Sequence, residues 1–155
     1  MSKIYFTWEE YYQLIDNLAL KILPFVKNGE INQILSLARG GCIIGDALSR
    51  KFNIPLAIMF TSSYSGTQRE GLIICEDIAK QYNQLGDKIL IVDDLLDSGI
   101  TLNAVNQYIK EKYQAQTKTA VLWKKECSSI DADFIAQLMP SDAWIVQPFE
   151  NIEKL

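Results

Sequence analysis

Residues 89–101 read Ile89-Leu90-Ile91-Val92-Asp93-Asp94-Leu95-Leu96-Asp97-Ser98-Gly99-Ile100-Thr101. With Lys88 ahead of it, the apolar run predicts a strand buried on both faces, as in a parallel sheet. Two acids follow, then a third, then a Ser-Gly-x-Thr turn that opens a helical stretch over 101–113. Successive side chains of a strand point to opposite faces, so Asp93 and Asp94 are expected on different sides. The turn sets backbone N–H groups and the hydroxyls of Ser98 and Thr101 at a helix N-terminus. Unpaired amides and the helix dipole favour an anion there, and a phosphate suits best. A helix cap alone needs one residue such as Asp97 or Ser98. Three carboxylates beside a phosphate seat must face something else: sugar hydroxyls, Mg²⁺ or a proton to be taken.

Working outward, Thr7-Trp8-Glu9-Glu10 forms a capping-box pattern. Tyr11, Leu14, Ile15, Leu18 and Ile22 then recur at helical spacing, predicting an amphipathic helix over 8–26. A buried strand is predicted over 31–37, broken by Gly40-Gly41 before a helix over 43–52. Residues 55–62 lean to β structure, a polar stretch covers 62–70, and 72–75 reads as a short strand. Further strands are predicted over 88–94 and 119–123, with shorter pieces at 134–138 and 143–146. Strands alternating with helices imply an α/β fold with a mostly parallel sheet flanked by helices. Ligands of such sheets bind at the carboxyl ends of the strands. At 155 residues the chain is expected to be a single domain over 1–155.

Composition narrows the chemistry. The chain has 15 basic and 19 acidic residues, a net charge of −4. It therefore lacks the positive surplus of a nucleic-acid or anionic-membrane binder. It contains no histidine, which excludes Ser-His-Asp and Cys-His catalysis, HExxH sites and histidine proton shuttles. Acid–base work falls to Asp, Glu, Lys, Tyr or Cys. Cys42, Cys75 and Cys127 form no CxxC pair, so neither a zinc site nor a disulfide framework is expected. They read as small buried hydrophobes in a reducing, cytoplasmic setting. The N-terminus has no signal-peptide pattern, and no apolar run reaches the ~18 residues of a membrane span.

The segment 89–101 closely resembles the phosphoribosyl pyrophosphate (PRPP) signature of the type I phosphoribosyltransferases, with Ser98 where the family usually has Thr. Other stretches follow in the family's order. Ser36-Leu37-Ala38-Arg39-Gly40-Gly41 is similar to its pyrophosphate loop. Ser62-Ser63-Tyr64-Ser65-Gly66-Thr67-Gln68-Arg69-Glu70 is similar to the mobile loop of bacterial xanthine–guanine phosphoribosyltransferases. Trp144-Ile145-Val146-Gln147-Pro148-Phe149-Glu150 is similar to their C-terminal segment. Val146 replaces an acid of those enzymes, and the stretch between Glu70 and Lys88 is longer than theirs.

The resemblance implies a small C-terminal hood over the sheet and transfer of phosphoribose from PRPP to N9 of a 6-oxopurine. Guanine, xanthine or hypoxanthine would be the base, and pyrophosphate and the nucleoside 5′-monophosphate the products. Asp97 would be the catalytic acid–base group. Arg39, Gly40, Arg69, Asp93, Asp94, Ser98, Gly99, Ile100 and Thr101 would hold PRPP. Asp93, Asp94 and Glu150 would serve the metal cofactor, Mg²⁺. Lys124, Trp144 and Ile145 would hold the purine. Lys125 stands where the family has a proline after its purine-reading lysine, which leaves Lys124 against Lys125 open. A non-proline cis peptide is implied before Arg39 or within 38–41. A homo-oligomer, dimer or tetramer, is expected, with no nucleic-acid partner. The alternative is a PRPP- or nucleotide-sensing regulator on the same fold that performs no transfer; its mark would be a lost catalytic acid or a basic patch.

Overall fold

The computed structural model describes residues 2–64, 71–74 and 77–151. Its elements are β1 (Ser2–Tyr5), α1 (Trp8–Lys27), β2 (Gln33–Ala38), α2 (Cys42–Phe52), β3 (Leu56–Tyr64), β4 (Gly71–Ile74), β5 (Ala79–Lys80), β6 (Lys88–Leu96), α3 (Ile100–Tyr113), β7 (Gln116–Lys125), β8 (Phe134–Met139) and β9 (Ala143–Val146), with a closing 3₁₀ turn, Pro148–Asn151. The main sheet runs β4-β3-β2-β6-β7-β8, and β5 also pairs with β3. Strands β3, β2, β6, β7 and β8 are mutually parallel, while β4 and β5 join β3 antiparallel.

Strand β6 lies inside the sheet between β2 and β7, which explains its unbroken apolar run. Leu90 and Val92 pack into a core with Tyr11, Ile15 and Leu18 of α1 and Ile44 and Leu48 of α2. Ile89 and Ile91 pack on the other face against Leu102, Val105 and Ile109 of α3. The result is three layers, with helices on both sides of the sheet. Each fully buried Leu or Ile contributes roughly 1.5–3 kcal/mol relative to an exposed one.

Helix α1 begins at the expected box. The Glu10 amide donates to Thr7 Oγ1 at 3.1 Å, and the Thr7 amide donates to Glu10 Oε2 at 2.8 Å. Two of the amides that a helix start leaves without partners are satisfied in this way. The bond between Ala38 and Arg39 is cis, inside the expected loop.

The hood is a separate two-stranded sheet in which β9 pairs in parallel with β1, Ser2 opposite Ala143 and Tyr5 opposite Val146. The sequence reading built the hood from the C-terminal segment alone; its second strand comes from the N-terminus. Residues 65–70, the tip of the expected mobile loop, lie outside the described residues, and Arg69 with them. No helix among the described residues is long and apolar enough to cross a membrane.

Candidate active site

The β2–α2 turn, the end of β6 and the closing 3₁₀ turn converge on a cleft of about 760 Å³. Arg39, Gly40, Ile43, Asp94, Gln147, Phe149 and Glu150 line it. Asp94 follows the alternation of Leu90 and Val92, so it faces this side. Gly40 admits it: a Cβ built on Gly40 would lie 2.4 Å from the Asp94 carboxylate, so only glycine lets the loop come this close. Gln147 is buried, and its side-chain amide donates to Asp94 Oδ2. Its backbone amide donates to Glu150 Oε2 at 2.9 Å. Gln147 lies within the segment 144–150, yet the sequence reading gives it no role. Nothing in the local pattern shows that its side chain reaches β6.

Asp93 has the parity of Ile89 and Ile91 and projects from the opposite face, as its neighbour relation to Asp94 requires. Its Oδ1 accepts the Asp94 amide at 2.9 Å. The three acids expected around a metal are therefore not one cluster. Among the described residues no group of three Asp, Glu, Cys or His side chains converges as a metal site. Asp94 and Glu150 do share the cleft. Two carboxylates in an open cleft fit Mg²⁺, which is usually held by one or two carboxylates plus substrate phosphates and water.

Burial first, and then the negative charge of Asp94, push the Asp93 carboxyl well above the usual carboxylate range. A carboxyl raised by folding favours the native state below its unfolded pKa and loses that contribution as pH rises through its folded value. In metal-free buffer, the stability of Asp93→Asn relative to wild type is therefore expected to climb as pH rises from about 4. Thermal melts across pH check this. A constant gap between the two proteins would show that Asp93 ionises freely.

A second cluster forms at the same strand end. Asp97 Oδ2 accepts from Lys125 Nζ at 3.0 Å, and the Cys127 thiol lies 3.8 Å from Asp97 Oδ1. Lys124, the sequence-based choice, instead pairs with Asp131. Of the two lysines that the sequence leaves open, Lys125 is the one that meets Asp97. The side chains of both lysines are largely buried, 13% and 14% exposed, so neither is the solvated lysine that a charged pair suggests. Cys127 is exposed and Cys42 half-buried, which corrects the reading of both as buried hydrophobes. The turn after β7 carries Cys127 out of the core. Cys75 lies outside the described residues.

Next to Asp97, the α3 N-terminus opens at Gly99, whose φ of 85° is left-handed and suits glycine. Ser98 Oγ accepts the Ile100 amide at 3.3 Å, and the Gly99 carbonyl accepts the Asn103 amide at 3.0 Å. Ser98 and Ile100 are exposed and Thr101 half-buried, leaving the helix start open to solvent. On the hood, Trp144 is 52% exposed while Ile145 is buried. A large aromatic left half in solvent on a short strand is an available stacking surface.

Comparison with known proteins agrees with this arrangement. The phosphoribosyl transferase domain family matches residues 2–152. A xanthine-guanine phosphoribosyltransferase from Idiomarina loihiensis is 29% identical over 150 residues, covering 96% of this chain and 87% of the relative. A second, from Gluconobacter oxydans, is 26% identical, covering 94% and 83%. Among solved structures, a purine phosphoribosyltransferase from Pyrococcus horikoshii superposes with a TM-score of 0.82 at 32% identity, covering 100% of this chain and 98% of that one. With its PRPP-signature strand in the middle of a parallel sheet and its cleft at that strand's carboxyl end, the chain belongs to the phosphoribosyl transferase domain family.

Proposed function

We propose that this protein salvages purines by transferring phosphoribose from PRPP to N9 of a 6-oxopurine, releasing pyrophosphate and the nucleoside 5′-monophosphate. The carrying observation is the Lys125–Asp97 pair placed three residues beyond Asp94 and its cleft. That juxtaposition sets a donor for a base oxygen and an acceptor for a base proton beside a seat for a sugar diphosphate. The names of the relatives support the same base class.

In the reaction the bond from ribose C1 to the diphosphate oxygen breaks, and its electron pair leaves with pyrophosphate. The N9–C1 bond forms through an oxocarbenium-like transition state, and the N7 proton of the base passes to Asp97. Arg39 and the amides of the Gly40 turn meet the departing diphosphate, where negative charge grows during reaction. Asp94 and Glu150 would hold Mg²⁺, which when bound would supply further positive charge beside the departing diphosphate.

Ser98, Gly99, Ile100 and Thr101 receive the 5′-phosphate at the helix start. Asp94 addresses the ribose hydroxyls from the cleft, and Asp93 on the other face steadies it by accepting the Asp94 amide. Lys125 donates to O6, exchanging its bond to Asp97 for one to the base. Trp144 stacks on the ring and Ile145 faces its 2-position. The free thiols of Cys42 and Cys127 suit a reducing cytoplasm.

The test is a panel of bases incubated with PRPP and Mg²⁺, resolved by chromatography. Guanine, xanthine or hypoxanthine is expected to give nucleotide, and uracil none. Nucleotide from uracil or orotate alone would assign the protein to another base class.

A further inference from the structure

We infer that Gln147 is a positioning residue that orients Asp94 for PRPP, a role that rests on the functional reading above. Its side chain is buried at 6% exposure and spans from the hood to the signature strand, donating from Nε2 to Asp94 Oδ2. The chemistry dictates which end of the amide points there. A carboxylate accepts only, so the opposite flip would set Gln147 Oε1 against Asp94 and repel it. Asp94 is thus held from two sides, by the backbone of Gly40, which leaves no room for a Cβ, and by the Gln147 amide. With Oδ2 engaged, Oδ1 is the oxygen left to meet a ligand in the cleft.

The same residue also fixes the second acid, because its backbone N–H donates to Glu150 Oε2 and its carbonyl accepts the Glu150 amide at 3.0 Å. Gln147 therefore touches both carboxylates of the cleft while lining it. A residue that only packed the hood would be served as well by an apolar side chain. The buried amide, whose Oε1 has no hydrogen-bond partner among the described residues, makes sense only if its donor end is needed.

Three variants test this, with PRPP binding measured by calorimetry in Mg²⁺ and steady-state kinetics beside it. Gln147→Leu keeps the volume and removes the donor, and is expected to weaken PRPP about tenfold or more, the scale of a lost bond to a charged group. The KM for the base should stay within about twofold, since the loss is confined to one substrate. Gln147→Glu keeps the shape but opposes two carboxylates, and should weaken PRPP further. It also provides the test if the leucine variant does not fold.

The decisive comparison is with Asp94→Ala, which removes the acceptor of the Gln147 bond. In that background Gln147→Leu should change PRPP binding by no more than about twofold, because coupled residues do not add. Equal rises in both KM values, unaltered PRPP binding, or full additivity with Asp94→Ala would reduce Gln147 to hood packing while leaving the transferase reading intact. A wild-type protein that binds no PRPP would overturn both.

Discussion

Asp97→Asn is expected to bind PRPP as wild type does and to lose ~10²–10⁴ in kcat, the range for removing a positioned acid–base group. Asp97 is half exposed at the end of β6, and its carboxylate faces Lys125 rather than the phosphate seat. In the proposed reaction it would be free for the base proton, while Asp94, three residues earlier, faces the cleft. The chain has no histidine to substitute for it. Asparagine keeps the size and can still accept from Lys125, so binding and folding should survive while proton removal does not. Calorimetry of PRPP and steady-state kinetics on one preparation separate the two effects. Turnover near wild type would remove Asp97 from the chemistry.

The second large effect concerns which base is read. An ammonium group has three donors and no acceptor, so in the proposed role Lys125 would satisfy a 6-oxo group but not a 6-amino group. Adenine would turn its own N–H₂ donors toward that cation and leave both without partners in a largely buried setting. Sites that hydrogen-bond a substrate group reject analogues lacking it by ~10⁴–10⁵ in kcat/KM. With Lys125 at 14% exposure, rejection of adenine by at least ~10³ is expected. Lys125→Gln should narrow that gap, because an amide both donates and accepts. Lys124→Gln should leave it nearly unchanged, since Lys124 is turned to Asp131. Comparing kcat/KM for hypoxanthine, guanine and adenine across the three proteins decides the assignment. Loss of discrimination in the Lys124 variant alone would restore the sequence-based choice.

The choice between Lys124 and Lys125 is one the sequence leaves open. The run 89–101 carries its own structural instructions, an apolar strand, acids and a helix-opening turn, so β6, α3 and the face alternation of Asp93 and Asp94 were legible. The capping box likewise announced α1. Two adjacent lysines are different: on a strand they lie on opposite faces, and only the register of β7 with its neighbours decides which one turns to Asp97. The predicted strand ended at Trp123, whereas β7 continues through Lys125, so the alternation that separates the two lysines was out of view.

Strand β1 was missed because four residues are too few to show a period, and its partner β9 lies at the other end of the chain. The two-residue β5 is shorter still. Gln147 stands inside a quoted motif, but its hold on Asp94 depends on the hood folding back over β6. No local pattern encodes that contact.

The most direct test of the central claim is ³¹P NMR of the purified protein with Mg²⁺, PRPP and one 6-oxopurine. PRPP signals are expected to fall only when base is present, replaced by pyrophosphate and a nucleoside 5′-monophosphate in equal amounts. PRPP that binds yet persists unchanged with guanine, xanthine and hypoxanthine alike would contradict it, and would make the protein a sensor built on a transferase fold.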